Sequence, residues 1–280
     1  MNWPGRCGRR SCAAAWRSSV DRGGRPGLAR FDSRIVKIRL ALRLARVMVH
    51  LAAGLATCAL VFPLASHAVR ERLTRRWSRK LLGLCRVRVE QAEGAPVLAH
   101  ALIVANHVSW LDIFVINALH PCRFVAKAEI RAWPVLGWLA AGAGTVFIAR
   151  GNRRELRHIF KGLVTVLQEG QRVAFFPEGT TSRQGEVLPF HANLFEAAID
   201  AKVAVQPYAL SYVDGAGRYH PSVDYVGDTT FVDSLFTILQ GEPVIARLQP
   251  LAPIDASGAH RRELAEAAQE AVGAALRRDM

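Results

Sequence analysis

The amino-acid sequence predicts an α/β fold: a mixed, mostly parallel sheet flanked by helices, preceded by an N-terminal helical membrane anchor. Three observations carry that reading. Short apolar runs alternate with helical patterns from residue 89 onward. An apolar stretch free of Lys, Arg, Asp and Glu, Val47–Val69, stands ahead of them. Basic, helix-like sequence brackets that stretch on both sides. With 280 residues, 51% of them hydrophobic, the chain is long enough to bury a sizeable core. Its ordinary Gly and Pro content excludes a collagen-like or wholly disordered protein.

The elements follow in order. Residues 1–33, rich in Arg, Gly and Ser and without apolar periodicity, read as a disordered basic segment. Residues 34–88 read as a helical membrane-anchoring segment. Ile35, Val36, Ile38, Leu40, Leu42 and Leu44 interleave there with Arg34, Lys37, Arg39, Arg43 and Arg46. The uncharged run then reaches the ~20 residues that span a hydrocarbon core, although His50, Gly54, Pro63, Ser66 and His67 interrupt it. After it, Arg70, Arg72, Arg75, Arg76, Arg79 and Lys80 share a helix with Leu73, Trp77, Leu81 and Leu84. Two cationic flanks suit a helical hairpin dipping into one leaflet better than a single span, which would carry one flank across. Both topologies stay open.

Residues 89–280 read as one α/β domain. Ala101–Ala105, Phe124–Ala126, Thr145–Ala149, Val173–Phe176, Val203–Leu210 and Val244–Leu248 have the look of buried strands. Helical patterns lie near 110–119, 153–169, 191–201, 231–239 and 260–278, which implies helices layered on a sheet.

Charge separates the same regions. Through residue 100 there are 20 Lys+Arg against 5 Asp+Glu, and beyond it 17 against 18. A basic first third points to an anionic surface, and the long uncharged run inside it favours lipid over nucleic acid. Cys7, Cys12, Cys58, Cys85 and Cys122 include no C-x-x-C pair, so neither a disulfide framework nor a zinc ribbon is indicated.

Three segments carry residues fit for chemistry. The first, Asn106-His107-Val108-Ser109-Trp110-Leu111-Asp112, follows an apolar strand. In one continuous helix His107 and Asp112 would point ~140° apart. They meet if His107 sits on the strand-to-helix turn and Asp112 in the helix's first turn, with Ser109 as N-cap. His107 is then a candidate general base and Asp112 the group that fixes its tautomer. A capped helix beside an ordinary loop histidine fits the same residues. No G-x-S-x-G elbow occurs, so a serine acyl-enzyme is not indicated.

The second segment runs from Gly144 to Arg150 and on through Gly151, Asn152, Arg153, Arg154, Arg157 and Lys161, a helix start that suits an anion; a solvated charged face is the alternative and the preferred reading for Arg157 and Lys161. The third is Phe175-Phe176-Pro177-Glu178-Gly179-Thr180-Thr181-Ser182-Arg183, a turn that lets backbone approach a ligand closely. Lys127 with Glu129, the Gln206-Pro207-Tyr208 run and His191 are lesser candidates, Pro207 marking an edge or a bend. Trp110, Trp133 and Trp138 read as core residues or membrane-interface anchors.

Together these blocks resemble the glycerolipid acyltransferase family typified by 1-acylglycerol-3-phosphate (lysophosphatidate) acyltransferases. Asn106-His107 with Asp112 matches N-H-x-x-x-x-D; Gly144, Phe147 and Arg150 match G-x-x-F-x-x-R; Phe176-Pro177-Glu178-Gly179-Thr180 matches F-P-E-G-T. Leu188-Pro189-Phe190 and Val205-Gln206-Pro207-Tyr208 follow in the family's order. The resemblance implies a membrane enzyme, at the cytoplasmic face (of the inner membrane, in a bacterium) and monotopic or single-span. It would move a fatty acyl group from coenzyme A or acyl carrier protein to a lysolipid hydroxyl. His107 is then the base and Asp112 its partner, while Arg150 and the Glu178-Gly179-Thr180 turn, with Lys127 and Gly144, hold the acceptor. The expected partners are membrane lipids, the lysolipid and the thioester donor, without metal, resident cofactor or nucleic acid. Lysophosphatidate is the expected acceptor. Thr181 stands where many members carry Arg, and lyso-ornithine lipid is the nearest alternative. A catalytically idle membrane-binding protein on the same scaffold is the rival from another class.

Overall fold

The computed structural model describes residues 26–133, 135–148 and 153–278. Packing divides the chain between residues 41 and 42. In Met1–Ala41 the described backbone is helical from Pro26, inside the segment expected to lack structure. A proline suits the first helical position, where its missing N–H costs nothing. Leu42–Met280 holds the rest of helix α1 (Pro26–Ala56) and every later element.

Helix α1 ends in a π-helical turn, Thr57–Val61, and a 3-10 turn, Phe62–Leu64. Pro63 has no N–H to continue the ladder, and Ala65 is extended. Helix α2 (His67–Leu84) then runs back along α1. His50 stacks on Trp77 with ring centroids 4.8 Å apart. The His50 Nε2–H donates to the Trp77 carbonyl at 3.0 Å, and the Trp77 indole N–H donates to the His50 carbonyl at 3.2 Å. A Cβ on Gly54 would stand 2.5 Å from Trp77 Nε1, so glycine permits this approach. The hairpin leaves Leu60, Val61 and Leu64 exposed around its turn.

A seven-stranded sheet follows, in the order β1-β7-β6-β2-β5-β3-β4. The strands are β1 (Val87–Gln91), β2 (Leu102–Ala105), β3 (Arg123–Lys127), β4 (Val146–Ile148), β5 (Val173–Phe175), β6 (Val205–Val213) and β7 (Val244–Pro250). All neighbours pair in parallel except β6 with β7. The sheet is mixed and mostly parallel, as expected. Two elements escaped the sequence reading. Strand β1 begins before residue 88, where a basic helix was expected to continue; α2 stops at Leu84 and Arg86 turns the chain with φ 60°. Helix α4 (Leu136–Gly142) is too short and glycine-rich to show a helical period.

Helices cover the sheet. Leu102 and Val104 of β2, with Val173 and Phe175 of β5, pack into a core shared with α5 (Arg153–Gln168), α6 (Glu196–Ala201) and α8 (Arg261–Arg278). Helix α3 (Asp112–Leu119) packs against α2. Helix α7 (Phe231–Gln240) is tied to α1 by Arg43, whose Nη1 donates to the Leu239 carbonyl at 2.6 Å. Pro207, expected at an edge or bend, lies in the inner strand β6. The Pro207 carbonyl accepts the Leu251 N–H at 2.9 Å, and the Gln206 side-chain amide, 3.4 Å from the Leu251 carbonyl, donates where proline has no N–H.

Two buried polar groups make testable contributions. Gln206 receives the Leu98 N–H at 3.0 Å and donates to the Pro96 carbonyl at 2.9 Å, pinning the loop before β2. Gln206→Ala strands those groups and should lower the free energy of unfolding by about 1–3 kcal/mol, read by chemical unfolding in detergent. His120 sits near Arg172, Arg75 and Tyr208, and burial, with the two arginines, pushes its imidazole down to about 4. Its folded value lies below the ordinary ~6.5. The neutral ring's contribution is therefore complete above that value and is lost as pH falls toward 4. His120→Gln should flatten the fall in stability between pH 6.5 and 4; an unchanged slope would assign it to other groups.

Candidate active site

Strand β2 delivers the first block and its parallel neighbour β5 delivers the third, so both polar turns emerge side by side at the carboxyl ends of two inner strands. That is where α/β sheets place ligands. Asn106 extends the sheet with its side chain. Its Nδ2 donates to the Leu210 carbonyl and its Oδ1 accepts the Leu210 N–H, each at 2.8 Å.

The next residue, His107, is held on four sides. Its N–H donates to Glu178 Oε1 at 2.8 Å, and its carbonyl accepts the Ser182 N–H at 2.8 Å. Its ring lies flat on Phe176, centroids 4.0 Å apart and planes 6° from parallel. Its Nδ1 is 2.8 Å from Asp112 Oδ2. The pair meets as expected, with His107 on the turn and Asp112 opening α3.

Asp112 is fully buried and accepts from three further donors. Oδ2 takes the N–H groups of Val108 at 2.7 Å and Ser109 at 3.0 Å, and Oδ1 takes the Tyr212 hydroxyl at 2.6 Å. Burial, with the Asp112 charge beside it, pushes the Tyr212 phenol well above its ordinary range, so it remains a donor. Ser109 is not the N-cap that its spacing suggested. The helix begins at Asp112, whose carboxylate itself takes the amides ahead of it, and the buried Ser109 Oγ has no hydrogen-bond partner among the described residues. Asp112 thus fixes the His107 tautomer with Nδ1–H toward the carboxylate, leaving Nε2 for a reactant.

His107 faces a cavity of about 950 Å³. Its walls are mainly apolar, with Gly54, Cys58 and Phe62 from the hairpin, Ile113 and Phe114 from α3, and Phe124 from β3. Charged groups on the lining, among the described residues, are Arg76 and Lys80 of α2, Lys127 at the end of β3 and Glu129 after it. Gly179, Thr180 and Thr181 bring the third block to the same wall. His107, Lys127, Gly179 and Thr180 are therefore gathered around one space. Glu178 is not on that wall. It is 3% exposed, and its second oxygen accepts the Leu188 N–H at 3.0 Å, so it bridges the first block to Leu188-Pro189-Phe190. Burial pushes its carboxyl up. Gly144 also stands off the lining, in a turn with φ 81° that leads into β4. Arg150, with Gly151 and Asn152, lies outside the described residues. His191 is exposed and would lie 3.3 Å from a Cβ on Gly179, which itself has φ 70°.

Tyr212 completes the site without any local signal, while Phe176, part of the third block, gives no hint of its stacking on His107. Tyr212 lies 100 residues from Asp112 in an apolar strand and reads as core. The Thr181 hydroxyl, at the position that departs from the family pattern, donates to the Tyr225 carbonyl, and the Tyr225 N–H donates to Val108 O at 3.1 Å.

Comparison with known proteins places these blocks. The family model described as Acyltransferase matches residues 86–211. A lyso-ornithine lipid O-acyltransferase of Pseudomonas aeruginosa is 41% identical over 248 residues, covering 86% of this chain and 95% of that one. A 1-acyl-sn-glycerol-3-phosphate acyltransferase of Neisseria meningitidis serogroup B is 41% identical over 172 residues, 60% of this chain and 67% of that one. The crystal structure of the 1-acyl-sn-glycerophosphate (LPA) acyltransferase from Thermotoga maritima shares the fold, with TM-score 0.61 and 21% identity over 87% of this chain and 97% of that one.

The geometry separates two roles around Asp112. Asp112→Asn would present a donor where His107 Nδ1–H needs an acceptor and should cost about 10³–10⁴ in kcat. Tyr212→Phe removes one of four donors and should cost about 1.5–3 kcal/mol of stability with a much smaller fall in kcat. Equal losses of kcat in the two variants would contradict this division.

Proposed function

The chain belongs to the acyltransferase family, and from that premise we propose that it moves a fatty acyl group from an acyl thioester to the free hydroxyl of a lysolipid. The observation that carries this reading is the His107–Asp112 pair, held rigid at the wall of a large apolar cavity. His107 Nε2 takes the acceptor hydroxyl's proton as the oxygen attacks the thioester carbonyl. The tetrahedral intermediate collapses with cleavage of the C–S bond, and the leaving thiolate takes the proton back from His107. General-base assistance of this kind is worth ~10²–10⁴-fold. The apolar walls suit an acyl chain, the scheme uses no metal or acyl-enzyme, and coenzyme A or acyl carrier protein can carry the donor.

For the acceptor we propose lysophosphatidate. Among the described residues, Arg76, Lys80 and Lys127 against the carboxylate of Glu129 make a net cationic lining, which suits a phosphate head. Arg150 and the Gly179-Thr180 turn are proposed to complete that grip. Lyso-ornithine lipid is the second reading. It is favoured by the nearly full-length match to the Pseudomonas relative and by Thr181, whose hydroxyl is engaged by Tyr225 rather than turned to a phosphate.

We infer further that the hairpin of α1 and α2 seats the enzyme in the cytoplasmic leaflet. Its turn carries exposed Leu60, Val61 and Leu64, and the cations of α2, from Arg70 near the turn to Arg79 and Lys80, keep the hairpin shallow and against the headgroups.

Thiol release from a long-chain acyl thioester, measured on solubilised wild type and His107→Ala with each lysolipid in turn, tests the proposal. Release that needs lysophosphatidate and falls by at least about 10²-fold in His107→Ala is expected. Release with lyso-ornithine lipid alone would keep the mechanism and replace the acceptor. Release with neither acceptor would remove the proposal.

A further inference from the structure

We propose that the connection between β3 and β4, centred on helix α4, is a second membrane-contacting element, and that Trp138 inserts from it into the lipid interface. Trp138 is 75% exposed and does not line the cavity. An exposed indole of that size is costly in water and suited to the headgroup layer, where its ring is shielded and its N–H remains hydrated.

Helix α4 is not free to point elsewhere. Leu139, the residue after Trp138, reaches the hairpin at Gly54: a Cβ there would stand 3.0 Å from Leu139 Cδ2. One turn on, a Cβ at Gly142 would stand 2.7 Å from Cys58 Sγ. Two glycines, one on each element, thus let α4 lie directly against the end of α1 and its π-helical turn. That end belongs to Ile35–Leu64, a stretch long and apolar enough to cross a membrane by length and composition. Its exposed Leu60 (73%) and Leu64 (91%) lie beyond the α4 contact. The apolar surface continues the other way through Trp133, which meets Phe231 with centroids 6.4 Å apart, to the exposed Val232 of α7.

Charge around this surface fits the same occupant. Arg131 is exposed just before α4, and Arg70, Arg72 and Arg76 are exposed along α2. Cations bordering an apolar surface match anionic headgroups above acyl chains. The same connection supplies Ile130, Trp133 and Leu139 to the cavity lining. Its insertion would hold the mouth of the cavity at the depth where a lysolipid already lies. The inference rests on the hairpin being seated in lipid and does not depend on which lysolipid is acylated.

The test uses the full chain in vesicles of phosphatidylethanolamine and phosphatidylglycerol, with lipids brominated near the headgroup end of their acyl chains. Trp138→Phe should lose a bromolipid-quenchable component of tryptophan emission, with unfolding temperature unchanged. Trp138 emission quenched by aqueous iodide in those vesicles would overturn the proposal. Emission reached by neither quencher would also overturn it, by pointing to a second copy of the chain as the cover. Independently, Trp138→Asp should raise the apparent KM for a bilayer-embedded acceptor about tenfold, a difference of ~1.4 kcal/mol, and leave kcat unchanged. An unchanged KM would count against insertion, whereas absence of turnover in wild type would count only against the proposed reaction.

Discussion

A single buried carboxylate governs the architecture of the site. Asp112 has no contact with water, and an ionised group so placed is tolerated only when its lone pairs are met. Four donors meet them: the His107 ring, two backbone amides of the turn after β2, and the Tyr212 hydroxyl on β6. Those donors come from segments that the sheet must first bring together. The geometry of the His107–Asp112 pair and the register of the central strands are therefore one constraint. A slip of one residue between β2 and β6 would turn Tyr212 to the other face of the sheet and leave the charge unmet.

Glu178 extends the same logic to the neighbouring strand. It accepts one N–H from His107 and one from Leu188, and it does not line the cavity. The His107 backbone is thereby fixed by β5's turn on one side while its side chain is fixed by Asp112 on the other. Rigid polar support on one side and about 950 Å³ of largely apolar space on the other suit a reaction whose reactants are mostly hydrocarbon.

Much of this was legible in the sequence, for identifiable reasons. Buried parallel strands read as short apolar runs, so β2 and β5 were found with their polar turns. The contact of His107 with Asp112 could be anticipated because a strand-to-helix turn lets residues at that spacing meet. Details failed where the partner is remote. The Ser-x-x-Asp pattern resembles a capping box, but the acid was recruited by His107 and Tyr212, which no local pattern can reveal. Glu178 looked like a ligand-facing residue because a turn glycine follows it, whereas its burial depends on β2 lying alongside. The α1–α2 hairpin was foreshadowed by its two basic flanks, but not the His50–Trp77 exchange of hydrogen bonds that closes it.

The span of 100 residues between Asp112 and Tyr212 also orders the protein's birth. At about 5–20 residues per second of synthesis, Tyr212 is made some 5–20 s after Asp112, and the hairpin precedes both. The nascent chain thus has its lipid-seeking helices in hand while the carboxylate still lacks a donor. The His107–Asp112 pair gains its full hydrogen-bond support only once β6 has been translated and has closed beside β2. Assembly of the site is thereby deferred until β6 has been made.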